Sequence, residues 1–181
     1  MPLKTNVWVN KITTLSEARY CAGMGVQFLG FQPSVVDVKT FRDITGWVSG
    51  PSFFLDISEE QTVPALLAEY GCDYLLIRED QVNELPPAID SKLLIKKFLS
   101  SSGSTPRHPR ADFTLLENWA PESLERAPAR TVVAVSNPDE ALLAISLPIA
   151  GILLQGSIEV SPGLMEYDHL SAVLELLETE D

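Results

Sequence analysis

The chain has 181 residues, 45% of them apolar and 21% charged, with a net charge of −12. That length supports one domain, 1–181, with a substantial core, and the acid excess argues against nucleic-acid binding, which needs a basic face. The longest apolar runs are too short to span a membrane, and the N-terminal "MPLKTNVWV" has no apolar stretch of the secretory kind, so the expected location is cytoplasmic.

In chain order, the first β-rich run is "NVWVN" from Asn6. Thr14-Leu15-Ser16-Glu17 follows as a capping box, with a hydroxyl for an exposed N–H and a glutamate reaching back. "FLGF" starts at Phe28 and "SFFLDI" at Ser52, and Ser58-Glu59-Glu60-Gln61 reads as a second capping box. "YLLI" from Tyr74, "KLLIKKF" from Lys92 and "DFTLLE" from Asp112 are the next three runs. Residues 100–110, "SSSGSTPRHPR", are too rich in serine and proline for a helix, so the fifth connection is a loop, and "WAPESLERAPAR" at 119–130 leaves room for a short helix only. "TVVAVS" from Thr131 leads to Asn137-Pro138-Asp139-Glu140, a cap, a first-turn proline and acids that suit a helix start. "GILLQG" from Gly151 is the eighth run, and Leu170, Val173, Leu174 and Leu177 mark one face of a closing helix. "MGVQFLGF" and "YGCDYLLI" form a weak internal repeat in which Gly25 and Gly71 suit helix C-termini.

Strands and helices alternating at this pitch imply βαβ units and a parallel sheet. Runs that are apolar throughout suit strands covered on both faces. Eight of them favour an α/β fold of the closed (β/α)8 TIM-barrel type, in a short version whose fifth helix is replaced by a loop. No glycine-rich dinucleotide fingerprint follows the first strand. Cys21 and Cys72 lie outside any CxxC pair and read as small buried apolar side chains.

Active sites of such barrels lie at the C-terminal strand ends. There the sequence offers Asn10 and Lys11, Gln32, Asp56, Arg78 and Glu79, Lys96 and Lys97, Glu117 and Asn118, Ser136, and Gln155, Gly156 and Ser157. Asp56 and Glu117 are candidates for a carboxylate pair, with Lys97 or Arg78 to hold an anion or shift a carboxylate. Ligand sites concentrate at such mouths. No metal site is expected, because His108 and His169 stand far from these carboxylates in the sequence.

Several motifs resemble phosphoribosylanthranilate isomerase of tryptophan biosynthesis. "GILLQGSIEVSPGLMEYDHLSAVLELLE" is similar to that family's last strand, phosphate loop and final helix. "NPDEALLAI" resembles the start of its seventh helix, and "TTLSEARYCAGMGVQFLGF" its first helix and second strand. The resemblance implies a barrel and an Amadori rearrangement without a cofactor, using a general acid that ends strand six, a base cysteine that ends strand one, and glycine loops that hold phosphate. Carried over residue by residue, the acid falls on Glu117 and the cysteine on Asn10. The glycine loop after strand six is replaced by "NWAPES". The glycine pair of strand seven becomes Ala134-Val135, and the last phosphate loop is partly kept as Gln155-Gly156-Ser157. An amide has no proton affinity near neutral pH and cannot replace a thiolate base.

The sequence therefore implies a divergent barrel of this type without efficient isomerase activity. It would bind a small polar or anionic ligand, phosphorylated or not, through Asp56, Arg78, Lys97, Ser136, Gln155, Gly156 and Ser157. The alternatives are an active isomerase with Glu117 as its acid, and a non-catalytic interaction protein presenting an apolar residue such as Trp47 or Trp119.

Overall fold

The computed structural model describes residues 2–61, 67–85, 91–97, 108–124, 127, 130–161 and 164–179; of these, Lys97, Ser123, 158–161 and 164–166 are described by backbone alone. Eight parallel strands close into a barrel in sequence order: β1 (Asn6–Asn10), β2 (Phe28–Phe31), β3 (Ser52–Asp56), β4 (Tyr74–Arg78), β5 (Lys92–Lys97), β6 (Phe113–Leu116), β7 (Thr131–Ala134) and β8 (Gly151–Gln155). The seam between β1 and β8 runs over five register pairs, from Asn6 opposite Gly151 to Asn10 opposite Gln155. All eight expected strands are present.

Period-two alternation sorts the strand residues into two apolar layers. Val7, Val9, Leu29, Leu55, Leu75, Ile77, Ile95, Val133, Ile152 and Leu154 point outward into the layer beneath the helices. Trp8, Phe54, Tyr74, Leu76, Leu94, Leu115, Val132 and Leu153 fill the barrel interior. Trp8 stacks on Phe28 with centroids 3.8 Å apart and meets Phe54, Tyr74 and Phe113 edge-on. Phe28, Tyr74 and Phe113 begin their strands, so this aromatic plug closes the N-terminal end of the barrel. Gly30 makes the packing feasible: a Cβ there would sit 2.1 Å from the Phe54 ring and 2.7 Å from Asn10 Oδ1.

The helices are α1 (Leu15–Gly23), α2 (Val38–Thr45), α3 (Leu67–Tyr70), α4 (Pro121–Leu124), α5 (Pro138–Ile145) and α6 (Asp168–Leu177), with a 3-10 turn at Asp80–Glu84. Thr14 caps α1 by accepting from the Glu17 N–H, and Asn137 caps α5 by accepting from the Glu140 N–H with Pro138 in the first turn. Asp37 does the same for α2. Gly25 and Gly71 take the left-handed conformation past α1 and α3, at φ 82° and 65°. Leu170, Val173, Leu174 and Leu177 of α6 are fully buried, each contributing about 1.5–3 kcal/mol relative to exposure. The short helix expected within 119–130 is α4.

Two expectations change. Ser58 is not a helix cap, because its N–H and hydroxyl both donate to Asp56 Oδ1, at 2.9 and 2.6 Å. After β8 the chain forms an antiparallel hairpin, β9 (Ile158–Ser161) and β10 (Leu164–Glu166), before α6 begins. The resemblance had implied a phosphate loop and a final helix here, with no strand pair named between them. Residues 100–107 of the expected fifth loop lie outside the described residues.

Candidate functional site

Asn10 ends β1 at the mouth, 2% exposed. Its Nδ2 donates to Asp56 Oδ2 at 2.6 Å, its Oδ1 accepts the Lys11 N–H at 2.8 Å, and its carbonyl accepts the Gly156 N–H at 2.7 Å. Asp56, at the end of β3 and 3% exposed, accepts three hydrogen bonds: one from Asn10 and two from Ser58. The strand-one amide and strand-three carboxylate thus bind each other over the end of β2. Lys11 turns the chain there with a φ of 61°.

Lys96 and Glu117 form the second group. Their ion pair is 2.9 Å long, with side chains 12% and 33% exposed. Lys96 shares the inward face of β5 with Leu94 by strand alternation. The neighbouring Lys97, expected as the ligand-binding lysine, has its side chain outside the described residues. Glu59 lies between this pair and β1. Lys11 Nζ and Gln32 Nε2 each donate to it at 3.2 Å. Burial works to raise the Glu59 carboxyl, but these donors and the charges of Lys11 and Lys96 outweigh it and hold it below the usual carboxylate range.

Arg78 ends β4 with its side chain held by the chain itself. Its guanidinium donates to the Ser58 and Glu60 carbonyls and to both carboxylate oxygens of Asp80, so it pins the loop after β3. The buried Gln81 supports the same loop, donating to the Ile57 and Glu60 carbonyls. Asp56 and Glu117, expected as a carboxylate pair, each have their own partners.

Past β7 and β8 four backbone donors are engaged within the chain. The Val135 N–H bonds the Leu153 carbonyl at 3.0 Å and the Ser136 N–H bonds Glu140 Oε2 at 2.7 Å. Gly156 donates to Asn10, as above, and the Ser157 N–H donates to Glu17 Oε1. Glu17, read from the sequence as a local cap, is fully buried and also accepts the Thr13 N–H at 3.1 Å. Its link to Ser157 spans most of the chain, so no local pattern signals it. Gln155 is exposed, and its carbonyl lies 3.2 Å from His169 Nε2.

A cleft of about 600 Å³ opens between the ends of β6 and β7, lined by Glu117, Asn118, Trp119, Ser136, Glu140 and Leu143 among others. Trp119 is held there by its Nε1, which donates to the Ala134 carbonyl at 2.7 Å. Trp47 lies elsewhere, on the loop after α2, and is 71% exposed. Neither thiol can act as a base near neutral pH: burial pushes Cys21 up to about 12 and Cys72 up to about 11. Among the described residues no group of three or more His, Cys, Asp or Glu is placed to hold a metal ion, and no helix is long and apolar enough to cross a membrane.

No family profile matches the chain, and neither does any curated protein sequence. Solved structures do match. Monomers generated from the dimeric phosphoribosylanthranilate isomerase of Thermotoga maritima superpose with a TM-score of 0.73 at 12% identity, covering 96% of this chain and 98% of that one. The fold is that of phosphoribosylanthranilate isomerase. The TrpF protein of Jonesia denitrificans gives a TM-score of 0.70 at 18% identity, with 96% of each chain covered. The isomerase of Thermus thermophilus gives 0.66 at 19% identity, over 96% of this chain and 98% of that one. These superpositions show the fold, and at such low identities they leave the chemistry to the residues at the mouth.

Proposed function

We propose that this chain is a barrel of the isomerase fold that does not isomerise phosphoribosylanthranilate efficiently and instead binds a small polar or anionic ligand at its C-terminal strand ends. The observation that carries the reading is Asn10. It stands where the resemblance puts the base, and its amide is bonded at both ends, to Asp56 and to the Lys11 N–H. The titratable group that touches it, Asp56, is 3% exposed and accepts three hydrogen bonds, which leaves it poorly placed to take a proton from a substrate. The buried thiols offer no replacement. Removing a positioned base costs about 10²–10⁴-fold in rate.

Binding is supported by the cleft beside Glu117 and by the Lys96–Glu117 ion pair at its edge. The test is turnover of phosphoribosylanthranilate by the purified chain, followed by loss of anthranilate fluorescence, with Glu117→Ala alongside. The expected result is a rate no higher than that of the variant. Turnover that Glu117→Ala abolishes would overturn the proposal and make Glu117 the acid of a working isomerase.

A further inference from the structure

The strand register sorts the inward side chains into layers of four, each drawn from alternate strands, as in other closed barrels of this kind. Asp56 pairs with Leu76 and Leu76 with Leu94, and the next inward residue of β5 is Lys96. Lys96 pairs with Leu115 and Leu115 with Val132, and the next inward residue of β7 is Ala134. Ala134 pairs with Leu153 and Leu153 with Trp8, and the next inward residue of β1 is Asn10. Asn10, Asp56, Lys96 and Ala134 therefore form one layer at the C-terminal end of the interior, above Trp8, Phe54, Leu94 and Val132.

In that layer Asn10 and Asp56 are bonded to each other, Ala134 contributes only a methyl group, and Lys96 supplies an amine. Of the lysines whose side chains are described, Lys96 alone stands on the inward face at the C-terminal end of a strand. Its side chain is 12% exposed and meets the Glu117 carboxylate at 2.9 Å. Glu117 and Ala134 both line the cleft between β6 and β7, so the cleft reaches down to this layer and the ion pair stands at its inner end. Trp119, Pro121 and Leu143 give the cleft apolar walls, and Asn118 and Ser136 give it polar groups. An amine with a carboxylate at hydrogen-bonding distance, reached through a partly apolar cleft, has the parts of an imine-forming site: a nucleophile and a group to move its protons.

We infer that Lys96 condenses with a small polar aldehyde or ketone to form an imine, with Glu117 carrying the protons. This names the ligand class of the proposed binding site and rests on that reading. Glu117 takes a proton from the Lys96 ammonium, the freed nitrogen bonds to the carbonyl carbon, and the carbonyl oxygen takes the proton back from Glu117. Glu117 then moves a second proton from the nitrogen to the hydroxyl oxygen. The C–O bond breaks, water leaves, and the nitrogen lone pair closes the C=N bond. The sum is an ammonium and a carbonyl giving a protonated imine and water. The positive charge stays on the Lys96 nitrogen and the negative charge on Glu117, so the ion pair present at the start also holds the product.

The experiment exposes the full chain to glycolaldehyde and cyanoborohydride, which reduces an imine to a secondary amine by hydride transfer. Tandem mass spectrometry reads the modification lysine by lysine and separates Lys96 from Lys97. Lys96 is expected to be modified about 10-fold faster than Lys39, whose side chain is 84% exposed, and faster than any other lysine. In Glu117→Gln the rate at Lys96 is expected to fall about 10²-fold, with Lys39 unchanged.

Another lysine modified as fast as Lys96 in the unaltered chain would overturn the inference, and that comparison needs no variant to fold. A rate at Lys96 that is unchanged or raised in folded Glu117→Gln would overturn it too, because an ion pair with a purely structural role gives that result. Absence of Lys96 modification together with absence of phosphoribosylanthranilate turnover would remove this inference alone. Turnover of phosphoribosylanthranilate that Glu117→Ala abolishes would remove the proposed function and this inference with it, so the two failures are distinguishable.

Discussion

Asn10→Ala tests the network at the mouth. The change removes the donor 2.6 Å from Asp56 Oδ2 and the acceptor 2.8 Å from the Lys11 N–H. A hydrogen bond to a charged group contributes about 1.5–3 kcal/mol and a neutral one about 1 kcal/mol. Both partners lie at a site where Asn10 is 2% and Asp56 3% exposed, so water cannot readily replace what is lost. The expected loss is about 3 kcal/mol, which for a chain of this size lowers Tm by roughly 10 °C. Urea unfolding followed by tryptophan fluorescence measures it, with an unchanged slope showing that only stability has moved. Asn10→Asp provides the control. It places a second carboxylate oxygen where the amide donor was, and the pair then holds a proton in the folded state more tightly than in the unfolded chain. The folded pKa is raised, so this variant gains stability as pH falls from 8 toward 5. A loss below about 0.5 kcal/mol for Asn10→Ala, or equal stability of Asn10→Asp at the two pH values, would refute the network.

Gly30→Ala drives a methyl group into the Phe54 ring and Asn10 Oδ1, at 2.1 and 2.7 Å, and is expected to destabilise by about 1–3 kcal/mol in the same urea assay. Glu59 gives a pH signature. Its folded pKa lies below the ordinary value of 4.5, so its contribution is present above that value and is lost as pH falls through the folded pKa. Lys11→Met is expected to flatten the stability profile below about pH 4.5, by a small amount because the Glu59 side chain is 55% exposed.

The barrel was legible because its strands are covered on both faces. Runs such as "YLLI" and "GILLQ" alternate between the interior and the layer under the helices, and both sides demand apolar residues. The caps of α1 and α5 were legible because their partners lie within one turn. Ser58 failed for the same kind of reason in reverse: its hydroxyl has a nearer acceptor in Asp56, two residues before it. The sequence brought Asn10, Asp56 and Glu117 to the strand ends but not their partners. Asn10 of β1 meets Asp56 of β3 over the intervening β2, and Glu17 reaches from the first helix to Ser157, in the loop after the last barrel strand. Arg78 lies at the end of its strand as expected, yet loop carbonyls capture it that no local motif announces. The hairpin after β8 was concealed by the likeness of its sequence to a loop and helix start.

The seam between β1 and β8 has a consequence for how the chain comes off the ribosome. Asn6–Asn10 is made early, and its neighbour on that side, Gly151–Gln155, only after seven other strands. Until then the nascent sheet carries two open edges, with unpaired N–H and C=O groups along β1 and along whichever strand was made last. These edges can pair with other chains in a way that the closed barrel cannot. Truncation anywhere before Gly151 therefore leaves a product with adhesive edges, whereas the finished ring has none.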